Sequence, residues 1–135
     1  MTDSAPSPDP QTLRQLQQTV DSWIHSIGVR YFSPLSNLAQ LVEEVGELAR
    51  ALNRHHGDQS FKPGESAGEL ADELADVLFV VTCLANQCGV DLQEAVAANL
   101  RKKTARDSGR HRDNPKLASR GEHNQALDKS EDKQP

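Results

Sequence analysis

Residues 41–52 read LVEEVGELARAL, a helical pattern that carries Glu43, Glu44 and Glu47 within five positions. At 100° per residue, Leu38, Leu41, Val42, Val45, Leu48, Ala49 and Leu52 fall within an arc of about 120°, the expected core face. Glu44 stands at one edge of that arc, Glu47 about 60° further round, and Glu43 just beyond. Glu44 and Glu47, at i and i+3, therefore point into the same space. A solvated helix face usually explains such charges, but it fits poorly here. Glu43 and Glu47 are like charges at i,i+4, which costs roughly a few tenths of a kcal/mol. Leu48 occupies the place where a basic partner of Glu44 would stand, and Arg50 alone does not balance three acids.

Further along, residues 74–85 read LADVLFVVTCLA, with Asp76 the one charged side chain among twelve. Leu70, Leu74, Val77, Leu78, Val81 and Ala85 make the expected core face of this helix. Phe79, Val80 and Cys83 make its other side apolar too, so it is expected to be covered on several sides. A carboxylate there carries a desolvation penalty of about several kcal/mol unless it is paired. Glu73, at i−3 from Asp76, repeats the spacing of Glu44 and Glu47. Two helices thus each present a carboxylate pair, and packing them side by side brings four carboxylates to one place. Mutual repulsion makes that arrangement poor without a cation. Oxygen-only ligands suit Mg²⁺ or Mn²⁺. The absence of histidine at these positions argues against zinc and against a Glu-x-x-His di-iron bundle.

Outward from these two segments the chain reads as four helices with no credible strand, an all-α class. A first helix over about 12–27 carries Leu13, Leu16, Val20, Trp23, Ile24 and Ile27 at helical spacing and ends at Gly28. The second starts at Ser33-Pro34, a cap with proline at the first position, and ends near Gly57. Ser66 and Glu69 form a capping-box pattern for the third, which stops before Gly89. Asp91 and Glu94 open the fourth, which continues past Arg101. Residues 1–10 are a polar, proline-rich leader, 11–107 the single domain, and 108–135 a polar tail expected to be disordered.

Composition bounds the function classes. The chain is 36% apolar but 4% aromatic, with net charge −5, which argues against nucleic acid or an anionic membrane as the main partner. The N-terminus lacks the pattern of a signal peptide, and no apolar run reaches the roughly 18 residues of a membrane span. Cys83 and Cys88, about 8 Å apart along one helix, cannot bridge and read as buried thiols of a reducing cytoplasm.

EEVGE, followed after 25 residues by ELADVLF, resembles the E-x-x-E…E-x-x-D signature of MazG-type all-α nucleoside triphosphate pyrophosphohydrolases. The flanking FSPLSNLAQLVEEVGELARAL and CLANQCGVDL strengthen the resemblance, which spans about residues 12–107. It implies hydrolysis of a nucleoside triphosphate between the α and β phosphates, giving a monophosphate and pyrophosphate, in nucleotide house-cleaning. Carried over by position, Glu44, Glu47, Glu73 and Asp76 would bind Mg²⁺, and Glu43 would orient or deprotonate the attacking water. Lys102, Lys103 and Arg106 offer the basic set that contacts phosphates, although Thr104 and Lys103 stand where an asparagine is expected. Phe32, Asn37 and Gln40 are candidates for contact with the base. Trp23 is expected in the core, and capping accounts for His55 and His56.

About 95 residues with few aromatics make a thin core, and Val80 and Cys83 cannot share the face used by Leu74, Val77 and Val81. A MazG-like four-helix bundle completed by homo-oligomerisation, as dimer or tetramer, is therefore expected, with Val80 at or beside the interface. The resemblance implies the same. Two other readings stand beside the enzyme: a non-catalytic helical dimerisation module with relict acids, and a phosphoribosyl-ATP pyrophosphohydrolase.

Overall fold

The computed structural model describes residue 9, residues 12–64 and residues 70–118. The Ser66–Glu69 capping pattern, most of the leader and residues 119–135 lie outside these. Every regular element among the described residues is a helix: α1 (Leu13–Ser26), α2 (Pro34–His56), α3 (Leu70–Gln87), α4 (Leu92–Asp107) and α5 (Pro115–Ala118). They fall into two compact units, residues 1–95 and 96–135.

The helix ends follow local chemistry. Thr12 Oγ1 accepts from the Gln15 N–H while Gln15 Oε1 accepts from the Thr12 N–H, so two orphan donors at the start of α1 are satisfied together. Ser33 Oγ accepts from the Ser36 N–H, with Pro34 in the first turn of α2. At the end of α3 the Val90 N–H reaches back to the Ala85 carbonyl (2.9 Å), and Gly89 takes the left-handed conformation this closure requires (φ 66°). Asp91 caps α4 by accepting from the Glu94 N–H, and it also holds Arg14 of α1 at 2.8 Å.

In the first unit α3 is the central helix, packed on by both α2 and α1. Val20 and Ile24 of α1 bury against Cys83, with Leu16, Tyr31 and Phe79 around them. Thr82 is fully buried, and its hydroxyl donates to the Leu78 carbonyl, so the burial leaves no unpaired donor. Amide side chains fix the register. Gln17 donates to Asn86 Oδ1 and to the Val90 carbonyl and accepts from the Leu92 N–H, while Asn86 donates to the Gln17 carbonyl.

Two expectations about faces are corrected. On α2 the covered residues are Asn37 and Ala51, with Gln40, Leu41, Glu44 and Leu48 half-buried, whereas Leu38, Val42, Val45 and Leu52 are exposed. The covered face is turned by roughly 80° from the centre of the apolar arc, toward the acids. On α3 the expected core face holds in part, with Ala85 buried and Leu70, Val77 and Val81 half-buried. Val80 and Cys83, expected beside an interface, are buried within the chain, while Leu74 (52% exposed) and Leu78 stand in solvent. The cause is α1, whose Val20 and Ile24 take the Cys83 side. Cys83 is a buried free thiol as read from sequence, but Cys88 is exposed.

In the second unit, Asp107 pairs with Arg106 at 2.8 Å and lies within reach of Arg110 and His111. Residues 108–118, expected to be disordered, form turns and α5, opened by Asn114 Oδ1 accepting from the Lys116 N–H.

Because Val80 is buried inside the protomer, Val80→Asp is expected to cost about 3 kcal/mol or more of folding stability. Urea unfolding should show a midpoint lowered by the same amount at every protein concentration, whereas loss at an interface alone would make the shift concentration-dependent.

Candidate active site

The turned face of α2 brings its acids against α3. Glu44, Glu47 and Glu73 can each offer one carboxylate oxygen so that the three lie within 4.8 Å of one another. Partial burial first, then the negative charge of Asp76, Glu47, Glu73 and Glu43, holds the Glu44 carboxyl above its usual range. Glu73 Oε2 is buried and finds no hydrogen-bond donor among the described residues. A buried carboxylate oxygen without a donor, beside two more carboxylates, is an unfavourable arrangement that a hard divalent cation relieves. The donor set therefore fits such an ion, and all three ligands are oxygens.

Asp76 is not in that close set. It is exposed, one helical turn from Glu73, and lines the adjoining cavity together with Glu44. Glu43 is exposed and accepts from Gln40 Nε2 at 2.8 Å, which fixes its carboxylate beside the cluster. Lys102, Lys103 and Arg106 are exposed residues of the second unit, where Arg106 is engaged by Asp107 through three contacts of 2.8–3.1 Å.

The cavity beside the acids has a volume of about 370 Å³. Phe32, Asn37 and Gln40 line it, as do residues that sequence reasoning left elsewhere: Trp23, Arg30 and Phe79. Trp23, expected in the core, is about half exposed and stands edge-on to Phe79, centroids 5.6 Å apart. The clustering of three of the five aromatics at positions 23, 31 and 32 was the available signal. Phe79 carried none, since an aromatic in an apolar helix reads as core. The rim is built by a tight turn in which the Arg30 N–H donates to the Gly28 carbonyl across Val29, held at φ 72°. A β-branched residue there is strained, and such strain gathers where a site needs a fixed rim.

Tyr31 forms a wall of the cavity and is locked from behind. Its hydroxyl donates to Asp21 (2.6 Å) and accepts from Asn86 Nδ2 (3.0 Å). Burial, and then the Asp21 hydrogen bond, push the Tyr31 hydroxyl up to about 12.

A family model, the MazG nucleotide pyrophosphohydrolase domain, matches residues 32–111. The chain belongs to this family. Bacillus subtilis YpjD is 40% identical over 100 residues, covering 74% of this chain and 90% of that protein. The dATP/dGTP diphosphohydrolase of cyanophage S-2L is 35% identical over 101 residues, covering 75% and 82% respectively. The bovine dCTP pyrophosphatase 1 is 37% identical over 75 residues, 53% of this chain but 44% of that protein. Among solved structures, YpjD superposes with a TM-score of 0.63 at 38% identity, covering 73% of this chain and 99% of the other. A Bacillus-conserved MazG protein, a nucleotide pyrophosphohydrolase, gives 0.58 at 37% identity, covering 70% and 90%. The matched span of the family model contains the acids of both helices as well as Phe32, Asn37 and Gln40.

Tyr31 is the one tyrosine in the chain, so its titration can be followed alone. Its folded value lies above the ordinary value near 10. The stability it contributes is therefore fully present below about 10 and is lost as pH rises through about 12. Tyrosinate absorbance should rise about two units later in the folded protein than in urea, and Asp21→Asn should narrow that gap.

Proposed function

We propose that the protein is a Mg²⁺-dependent hydrolase that cleaves a nucleoside triphosphate between its α and β phosphates, releasing a monophosphate and pyrophosphate. The observation that carries this reading is the meeting of Glu44, Glu47 and Glu73 around a buried, donor-less carboxylate oxygen, beside a cavity walled by aromatics. Family membership supports it, and so do relatives named for dATP, dGTP and dCTP, which make deoxynucleoside triphosphates the first substrates to test.

Glu44, Glu47 and Glu73 would hold the divalent ion, and Asp76, one turn along α3, would complete the set. When bound, that ion neutralises phosphate charge and lowers the pKa of coordinated water. Glu43, oriented by Gln40, takes the proton of the attacking water as the α–β anhydride opens. Lys102, Lys103 and Arg106 are the basic residues that the family resemblance assigns to phosphate contact. Phe32 stacks on the base, with Asn37 and Gln40 at its edge. No single helix among the described residues is long and apolar enough to cross a membrane.

The working form is a homodimer, or a tetramer built from dimers. Leu38, Val42, Val45 and Leu52 of α2 and Leu74 and Leu78 of α3 are exposed apolar residues at helical spacing on two helices that pack together. Exposed apolar rows of this kind call for a cover, and a second copy of the α2–α3 pair supplies matching ones.

With Mg²⁺, a deoxynucleoside triphosphate should yield monophosphate and pyrophosphate by phosphorus NMR, and a diphosphate as first product would rule out this reaction. Glu43→Gln should lower kcat about a hundredfold while keeping the metal response. Millimolar Mg²⁺ or Mn²⁺ should raise the melting temperature by about 5 °C, a shift that Glu47→Gln and Glu73→Gln abolish. For the assembly, Val42→Glu with Leu78→Glu should give a helical monomer by light scattering, where the unmodified chain scatters as a dimer or larger.

A further inference from the structure

Two consecutive amides at the end of α3 hold the segment between α1 and α2, and their bonds differ in kind. Asn86 is committed to the fold. Its Oδ1 accepts from Gln17 Nε2, and its Nδ2 donates to the Gln17 carbonyl and to the Tyr31 hydroxyl, each at 3.0 Å. Both of its N–H donors are spent in joining α1, the segment and α3. Gln87 makes a different pair of bonds. Its Nε2 donates to the Phe32 carbonyl, and its Oε1 accepts from Asn37 Nδ2 at 2.7 Å. The Phe32 carbonyl can only accept, which fixes the way round that the Gln87 amide stands. One half-buried side chain thus bridges the rim of the cavity and the start of α2.

Phe32 and Asn37 both line the cavity, while Gln87 is not among the lining residues. Phe32 is exposed, so its place depends on backbone bonds more than on packing. Asn37 is buried, and its amide is turned by the bond to Gln87. The acids stand at the far end of the same helix pair. Glu73 lies in the first turn of α3 and Gln87 is its last residue, roughly 21 Å apart along the axis.

Resting on the nucleotide reading above, we infer that Gln87 is a positioning residue for the base, holding Phe32 and Asn37 at one fixed spacing. It touches neither the nucleotide nor the divalent ion. Without it the Phe32 backbone and the Asn37 amide take several arrangements, and a bound base has to select one of them. Affinity then falls by the fraction of time that the pair is correctly placed. The step at the α–β anhydride belongs to the acids at the other end, so its rate is kept once the nucleotide is seated.

Trp23 is the one tryptophan and lines the cavity, so its fluorescence reports occupancy. The probes are dATP, dGTP, dCTP and dTTP with Mg²⁺, and their monophosphates without it. For the best of these, Gln87→Leu should raise KM about tenfold and leave kcat within about twofold. The Mg²⁺ shift in melting temperature should stay intact. The monophosphate should lose as much affinity as the triphosphate, because the loss sits at the base. Gln87→Glu keeps the shape and the bond from Asn37 but sets a carboxylate oxygen against the Phe32 carbonyl, so it should also weaken binding. If Gln87→Leu does not fold by circular dichroism, Gln87→Glu carries the same test. An unchanged KM, or a fall in kcat as large as the rise in KM, would overturn the inference and leave the reaction reading in place. Loss confined to the triphosphate, or full affinity in Gln87→Glu, would overturn it too. If no triphosphate is hydrolysed, the reaction reading fails, and Kd for the α,β-imido analogues with Mg²⁺ decides. A Kd raised about tenfold by Gln87→Leu sustains the inference, and an equal Kd, or no binding, overturns it.

Discussion

Carboxylates gathered where α2 meets α3 are the constraint on which the rest of the first unit depends. A helix–helix contact normally excludes charge, because several desolvated acids of one sign raise each other's energy as well as losing water. Here the contact is turned so that Glu44 falls within it, and Glu73 keeps a buried oxygen with no donor. Small or polar residues make that geometry feasible. Ala51 lets the helices approach at one end, and Asn37 bonds across to Gln87 at the other. The cost is borne by a contact that gives up leucines and valines to solvent.

The cavity depends on that arrangement from the other side. Its floor is α3, contributing Phe79 and Val80, and its rim is the segment between α1 and α2. That segment has no regular structure of its own, yet it is held at several points: the strained turn at Val29, Tyr31 between Asp21 and Asn86, and the Phe32 carbonyl on Gln87. The ties of Tyr31 and of the Phe32 carbonyl run to α1 and α3, which are themselves locked together by the Gln17–Asn86 amide pair. A connecting segment fixed in this way can present aromatic and amide groups with little loss of freedom on ligand binding, which is how preorganisation raises affinity. Acids and cavity are thereby joined through Glu44, which belongs to both.

A chain with so few aromatics commits little apolar area to each protomer, and among the described residues fully buried side chains are few. The unit nevertheless holds its shape because polar groups do much of the specifying: Thr82 bonds within its helix, and Gln17, Asn86 and Gln87 bond between elements. Polar networks of this sort add modest net stability but define one register sharply, since any slip leaves several buried groups unpaired.

By itself the sequence determined the helices. Thr12, Ser33-Pro34, Gly89 and Asp91 mark their ends through bonds that reach only three to five residues, and such local chemistry is legible in one dimension. It also determined that Glu44 and Glu47 come together, because i,i+3 spacing fixes a shared face whatever the helix packs against. The tertiary structure decided which face that would be. Leu38, Val42 and Leu74 look like core by periodicity, yet the chain covers Asn37, Ala51 and Val80 instead. Periodicity records how apolar a face is and not what lies against it, and α1 claimed the side of α3 that carries Cys83. Only the fold, too, could bring Phe32, Asn37 and Gln87 into one chain of hydrogen bonds. Fifty or more positions separate Gln87 from both partners, and nothing in an amide side chain announces which carbonyl will orient it.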